Sequence, residues 1–463
     1  MLTTVKTVPN PRFNSCSVII SSDCNLSCEY CFQKENFRNK HMTPSMGEKV
    51  IDFLVEGATS TNNKHKNNNQ QNPMISVMFF GGEPTLNIPT MRRMIEYAYQ
   101  VSQEKKVSVS FSLDTNCTIW TDELEEFLNY WYNTLKQVSV QLSIDGCPPV
   151  LDHDRKWRFP NMSVSPAYQI QSVAKKYMEW AQRNNCSNMI YIRGSVSKFS
   201  LPYMNESYNY LRDVIGTKNI WFLPVHEEDW NGDDEIEFIT QYRHITNRIL
   251  NDTIELGDLS LYKGFSSCQL SPKQVRPCCA GFTFCTIDND GTIYMCHRAQ
   301  KPSQEKSIIL GHIDHGIYEH MLDDKYSNIT TSICSGYMNC GECENTNCKY
   351  CVAANYEVNG ELTKGFPKYC AISMKEHEIR LELKKKLEEN EKIKALMDQE
   401  NKPHQQNFQT PDTSIALREL RNSVENQHRE LINTLHQYKT RFELELGKIS
   451  RSIESLTTMI NRT

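Results

Sequence analysis

Cys24, Cys28 and Cys31, all within the stretch SSDCNLSCEYCFQ, are the residues whose type and spacing most plainly imply chemistry. Thiolates are soft ligands that select zinc or iron-sulfur clusters, and C-x3-C-x2-C spacing lets one loop reach several metal positions. A cubane has four irons, so three thiolates leave one iron open to a small molecule. A zinc ion would need a fourth protein ligand, for which His41 is the nearest candidate. More cysteines follow far along the chain, in CCAGFTFCTIDNDGTIYMC (278–296), in CGECENTNCKYC (340–351) and at Cys370.

Their distribution divides the chain. Of 18 cysteines in 463 residues, seven precede residue 268, eleven lie in 268–370, and the last 93 residues have none. The count belongs to metal or redox chemistry in a reducing compartment, since a chain of this length needs no disulfide staples. With 51 Lys+Arg against 56 Asp+Glu and a net charge of -5, the sequence shows no basic footprint for nucleic acid or an anionic membrane. No apolar run reaches the roughly 18 residues of a membrane span, and MLTTVKTVPNPRF lacks the apolar core of a signal peptide. The expectation is a cytoplasmic protein.

The elements that must position these residues alternate. Short β-branched runs occur at 16–21, 75–80, 107–113, 138–144, 189–196 and 220–225. Between them lie EKVIDFLVEGA, MRRMIEYAYQVSQ, TDELEEFLNYWYN, AYQIQSVAKKYMEWAQ and NESYNYLRDVI, with apolar residues three or four apart. Such βα repeats predict parallel strands with right-handed crossovers: an α/β fold over 1–255 whose six units suit an open, partial (β/α)6 barrel or a doubly wound sheet. The polar stretch TSTNNKHKNNNQQN (59–72) reads as a loop. A loop-rich, metal-organised domain is expected over 256–372, with a hairpin turn at 288–291, since Asp-Asn-Asp-Gly lacks the length and terminal Glu of a calcium loop. Helical segments are expected over 373–463. Their last part spaces Leu431, Leu435, Tyr438, Phe442, Leu446, Ile449, Ile453, Leu456 and Ile460 as a coiled-coil seam, suited to self-association or to docking a partner.

CNLSCEYC, with Tyr30 before its third cysteine, resembles the signature of the radical S-adenosylmethionine superfamily. The resemblance implies a catalytic 4Fe-4S cluster on Cys24, Cys28 and Cys31, whose open iron binds the amino and carboxylate groups of S-adenosylmethionine. Gly81, Gly82 and Glu83 of FFGGEPTL resemble the motif that meets the methionine amino group, and Asn116 of DTNC matches a TNG element in which Cys117 replaces glycine. Ser143, Asp145 and Arg155 of SIDGCPPVLDHDRKW, and Arg193 of IRGSVS, match elements that hold the cofactor's ribose or carboxylate, with Arg155 and Arg193 both candidates for that arginine. All these elements fall at the C-terminal ends of successive predicted strands, where parallel α/β folds place their sites.

The later cysteines resemble the SPASM domain, an auxiliary-cluster module. Gly291-x4-Cys296 fits its pattern after Cys278, while Cys340, Cys343, Cys348 and Cys351 give C-x2-C-x4-C-x2-C, one residue shorter in each of the last two gaps than the family's block. By that resemblance Cys340, Cys343, Cys348 and Cys370 hold one auxiliary 4Fe-4S cluster, and Cys278, Cys296 and Cys351 a second, whose fourth ligand is Cys285, Cys279, Cys268 or an open site. Zinc is the competing reading of paired C-x2-C motifs. The family points to modification of a ribosomally made precursor peptide, by thioether or carbon-carbon cross-links, with a flavodoxin or ferredoxin as electron donor. The alternatives are a sulfatase maturase that makes formylglycine and a non-catalytic zinc scaffold. About fifteen residues precede the first strand, so leader recognition is expected elsewhere, with the C-terminal helices as candidates.

Overall fold

Hydroxyl and amide side chains alternate with apolar ones along the strand runs, and this period of two decides which face each strand turns to the helices. The structure is a computed structural model that describes residues 6–64, 72–266, 279–301, 307–322, 351–360, 362 and 367–401. After a short β1 (Thr7–Val8), six strands correspond to the six predicted runs: β2 (Ser15–Ser21), β3 (Met74–Gly81), β4 (Ser108–Thr115), β5 (Val140–Ser143), β6 (Ile190–Val196) and β7 (Ile220–Pro224). They pair in sequence order and all in parallel.

On one face Ile75, Val77, Phe79, Phe111, Leu113, Val140, Leu142, Ile190, Ile192, Ile220 and Phe222 are buried in the main hydrophobic cluster. They meet the apolar sides of α1 (Pro44–Lys64), α2 (Ile88–Lys105), α3 (Asp122–Leu135), α5 (Pro166–Arg183) and the neighbouring helices; α2, for example, buries Met91, Met94, Ile95, Ala98 and Val101 at steps of three and four. On the other face the register sets Ser76 beside Ser110, Met78 beside Ser112, Asp114 beside Gln141, and Ser143 beside Arg193. A parallel sheet covered on both faces reads as continuous apolar runs. Alternation here means that the inner face carries polar side chains rather than a second core.

Two helices were absent from the sequence expectations. The short α4 (Pro148–Asp154) follows β5, and α7 (Gly232–Leu256) follows β7. The start of α7 is legible in hindsight: the Asn231 side chain accepts from Asp233 N (2.8 Å) and Asp234 N (3.0 Å), while Asp234 accepts from Asn231 N, a capping box. Helix α1 continues to Lys64, six residues into the polar stretch expected to be a loop; the remainder of that stretch lies outside the described residues.

The cysteine-rich region extends the same sheet. β8 (Phe284–Ile287) lies parallel to β2, and β9 (Thr292–Tyr294), β10 (Ile309–His312) and β11 (Gly316–Tyr318) follow antiparallel, with β1 against β11. The expected turn at 288–291 connects β8 to β9, with Gly291 at φ +92°. Beyond it, the helix Pro367–Glu389 packs on α7, where Tyr242 Oη donates to Glu376 (3.1 Å) and Arg243 to Glu382 (2.6 Å). Residues Met1–Asp398 form one compact unit and Gln399–Thr463 another; the predicted coiled-coil seam lies outside the described residues. Among the described residues, no helix is long and apolar enough to cross a membrane.

Candidate active site at the strand ends

The loop after β2 is held in place by the segment that follows α4. Ser27 N donates to Lys156 O (2.8 Å), Glu29 N to Asp154 O (2.9 Å) and Arg158 N to Asn25 O (3.0 Å), so the cysteine loop has a backbone partner on its far side. Arg158 also pairs with Asp23 and donates to the Cys24 carbonyl at 3.2 Å. From the end of β4, Asn116 Nδ2 donates to Asn25 Oδ1 (2.8 Å) and reaches Cys24 Sγ (3.5 Å). The end of β3 comes closer still. A Cβ on Gly81 would stand 2.2 Å from the Ser21 carbonyl and one on Gly82 2.2 Å from that of Asp23, so only glycine lets the two strand ends touch.

These strand ends enclose a cavity with ≈ 1030 Å³ of empty space, its open mouth included. Cys24, Cys28, Tyr30, Cys31, Gly81, Gly82, Asn116, Ser143, Arg155 and Arg193 all line it, so ten of the residues singled out in the barrel sequence share one wall. The other two do not reach it. Glu83 is fully buried behind the wall, where Oε1 accepts from Thr85 N (3.1 Å), Thr85 Oγ1 (2.6 Å) and Thr115 Oγ1 (2.8 Å), and Oε2 from Asn116 N (2.7 Å). It ties β3 to β4. Asp145 is likewise buried; it accepts from Arg155 at 2.7 and 2.9 Å, from Tyr30 Oη at 2.5 Å and from Ser195 N at 2.8 Å. Arg155 and Tyr30 are therefore committed to Asp145. Arg193 lines the same cavity, and among the described residues its guanidinium makes no hydrogen bond or ion pair, which leaves it available to a ligand carboxylate.

The three thiols fit a cluster. Burial, with Glu83 adding, pushes Cys24 up to about 12; burial likewise raises Cys28, against the opposing pull of Arg155, and Cys31. Thiols held neutral in this way have no anion to stabilise until metal displaces the proton. Backbone N–H groups already point at two of the sulfurs: Leu26 N at Cys24 (3.4 Å), and those of Gln33 and Lys34 at Cys31. Such bonds support iron-bound thiolates. Among the described residues no three His, Cys, Asp or Glu side chains stand close enough to share one metal ion, and His41 is exposed and off the cavity. A cubane, by contrast, spreads three thiolates over three irons.

Sequence reasoning missed other residues of the wall. Asp114 and Gln141 sit side by side on β4 and β5, with Gln141 Nε2 donating to Asp114 Oδ2 at 2.7 Å. Burial pushes the Asp114 carboxyl up to about 7, partly offset by Arg193. Across the cavity, burial lowers His226 to about 3; behind the lining residues Phe32 and Phe80, burial lowers His297 to about 4, so both imidazoles are neutral near pH 7. His297 stacks on Phe80 (4.6 Å) and Phe32 (5.7 Å), and Arg298 lies over Phe32 and pairs with Glu227. The signal for Asp114 and Gln141 was their place at the end of polar-alternating strands; His226 and His297 had none.

Of the expected auxiliary ligands, Cys278, Cys340, Cys343 and Cys348 lie outside the described residues. Cys285 stands on β8 directly across from Cys16 on β2; both are buried, and burial pushes both thiols up, which is the environment of small core side chains. Cys296 follows β9 and is buried, Cys351 caps the helix Val352–Asn359 by accepting from Ala354 N (3.5 Å), and Cys370 lies on the helix Pro367–Glu389.

Residues 14–161 match the family model for a 4Fe-4S single cluster domain. The chain is 23% identical over 374 residues to the radical SAM cyclopropyl synthase TigE of Paramaledivibacter caminithermalis, covering 72% of each protein. It is 27% identical over 217 residues to the serine-type anaerobic sulfatase-maturating enzyme of Bacteroides thetaiotaomicron, 45% of each. Its fold matches the solved structure of native anSMEcpe with bound AdoMet and a peptide, at a TM-score of 0.57 and 19% identity, over 81% of this chain and 99% of that one. Cysteine loop, strand order and these likenesses support an enzyme of the radical S-adenosylmethionine type. Its cofactors are a 4Fe-4S cluster and S-adenosylmethionine.

Proposed function

We propose that this enzyme oxidatively modifies a ribosomally made precursor peptide, closing a new bond at an unactivated carbon. The observation that carries the reading is the single cavity into which the cysteine loop, the glycine pair, Asn116, Ser143 and Arg193 all open. When bound, the cluster and S-adenosylmethionine supply a 5′-deoxyadenosyl radical that takes a hydrogen atom from such a carbon.

The chain's own residues do the rest. Cys24, Cys28 and Cys31 hold the cluster against the backbone clamp of 154–158, and Asn116 orients the loop through Asn25. Arg193 takes the cofactor carboxylate, while Arg155 and Asp145 form the neutral pair that fixes Tyr30 beside the cysteines. Ser143, one strand over and beside Arg193, would hold the ribose. Beyond them Leu223, Pro224 and Val225 give an apolar wall that shields the reacting carbon from water.

The likeness to the peptide-bound anSMEcpe structure supports a peptide substrate. The SPASM pattern supports auxiliary clusters: Cys340, Cys343, Cys348 and Cys370 for one, and Cys278, Cys296 and Cys351 for the other. Cys285 is left out of the ligand set because it belongs to the sheet interior. A flavodoxin or ferredoxin fits as the electron source, and the helices after residue 400 fit peptide docking or self-association. Formylglycine formation is the second reading, favoured by the likeness to the sulfatase-maturating enzyme.

Reconstituted, reduced enzyme supplied with S-adenosylmethionine and the short peptides encoded beside its gene is expected to release 5′-deoxyadenosine and to lower peptide mass by two hydrogens per bond formed. Turnover of a CxPxR-type peptide instead would establish the maturase reading. Unchanged mass in both would sink peptide modification.

A further inference from the structure

The charged groups around the cavity pair off, with two left over. Arg155 is neutralised by Asp145 at 2.7 and 2.9 Å, and Arg298 by Glu227. Glu83 lies behind the wall with both oxygens already accepting hydrogen bonds. His226 and His297 are held neutral by burial, and the Tyr30 and cysteine protons are held by theirs. Among the described residues, what remains facing the cavity is the guanidinium of Arg193 and the carboxyl of Asp114, which Arg193 helps to ionise. Asp114 projects from the strand end two residues before Asn116, which touches Cys24; Gln141 steadies one of its oxygens at 2.7 Å.

S-adenosylmethionine presents the complementary set. Its carboxylate would call for a cation, and the fixed positive charge of its sulfonium would call for an anion. A buried cation of this kind needs a facing anion, because nothing in a closed cavity replaces water's screening. We propose that Asp114 is the counter-ion of the cofactor's sulfonium, opposite Arg193, which takes the carboxylate. This rests on the cofactor reading of the same cavity.

The role is specific to charge, which makes it separable from shape. S-adenosylhomocysteine differs by one methyl and carries a neutral sulfide in place of the sulfonium. Binding of each to the cluster-loaded enzyme, followed by equilibrium dialysis, is expected to change differently on substitution. Asp114→Asn weakens S-adenosylmethionine by roughly tenfold or more, the scale of one partly buried charge pair, and leaves S-adenosylhomocysteine within about twofold. Asp114→Glu, which keeps the charge, restores most of the difference.

A second readout follows from the carboxyl's ionisation near pH 7, set by burial with Arg193 and Glu83 as the charged groups facing it. The wild-type affinity for S-adenosylmethionine rises as pH climbs from 6 to 8, and that rise is absent in Asp114→Asn and for S-adenosylhomocysteine. Iron content and circular dichroism establish that the variants are loaded and folded. Equal weakening of both ligands, or a pH slope that survives in Asp114→Asn, overturns the counter-ion while leaving the cofactor reading intact. Failure of wild type to bind either ligand overturns both.

Discussion

Cys117 sits where a glycine is expected beside Asn116, and the structure keeps the glycine's backbone there: φ is +60°, with the side chain fully buried and its Sγ 3.8 Å from the Ile170 carbonyl. A left-handed residue with a Cβ costs on the order of 1 kcal/mol, which the surrounding core offsets. The cysteines of the loop are separable from the fold in the same local way. Cys28 makes its contribution through metal, while the residues on either side of it bond to 154–156 through their backbones. Cys28→Ala is therefore expected to lose about four irons per chain while keeping its far-ultraviolet circular dichroism. Iron content equal to wild type would contradict the ligand assignment.

Glu83 links two elements. It was expected to meet the cofactor's amino group and instead accepts four hydrogen bonds from the Thr85 and Thr115–Asn116 turns. Glu83→Gln turns an amide donor toward groups that are themselves donors, so it is expected to cost about 2 kcal/mol and to weaken cofactor binding through displacement of Asn116. Thermal unfolding and S-adenosylmethionine binding measured together check this; a variant with unchanged melting would place Glu83 outside the clamp. The β8–β9 hairpin offers a pH test. Burial raises Asp288 from its ordinary 3.8 to about 6, with Gln300 donating to it at 2.5 Å. The folded carboxyl keeps a proton that the unfolded chain releases, so its contribution is full below 3.8 and is lost as pH rises through 6. The gap corresponds to roughly 3 kcal/mol at most. Asp288→Asn does not titrate, and its urea midpoint relative to wild type is expected to improve between pH 4 and pH 7. A difference independent of pH would refute the assignment.

Over the whole molecule, the described residues up to Asp398 share one compact unit, with the cysteine-rich strands continuing the barrel's sheet. A chain ending at residue 401 is therefore expected to keep the melting temperature and cofactor affinity of the full protein. If the removed residues dock peptide or a second copy, only peptide affinity or oligomeric mass changes. Loss of cofactor binding on truncation would show that the second unit supports the first.

Six strands were legible from sequence because β-branched runs separated by helical periods have few other folds, and the cysteine loop was legible because metal chemistry demands ligands at fixed spacing. Partnership was not. Arg155 and Arg193 are equivalent in sequence, yet one is locked to Asp145 and the other faces the cavity. Cys285 sits in a cysteine-rich motif, but its position on a central strand buries it against Cys16. Asp114 and Gln141 look like ordinary strand polars until the parallel register sets them side by side. Sequence by itself determined the order of elements and the residue types able to bind iron and cofactor, since both follow from local periodicity and spacing. Only tertiary structure decided which charges neutralise one another and which remain for a ligand, because that depends on distances between residues far apart in the chain and on the burial that strengthens them.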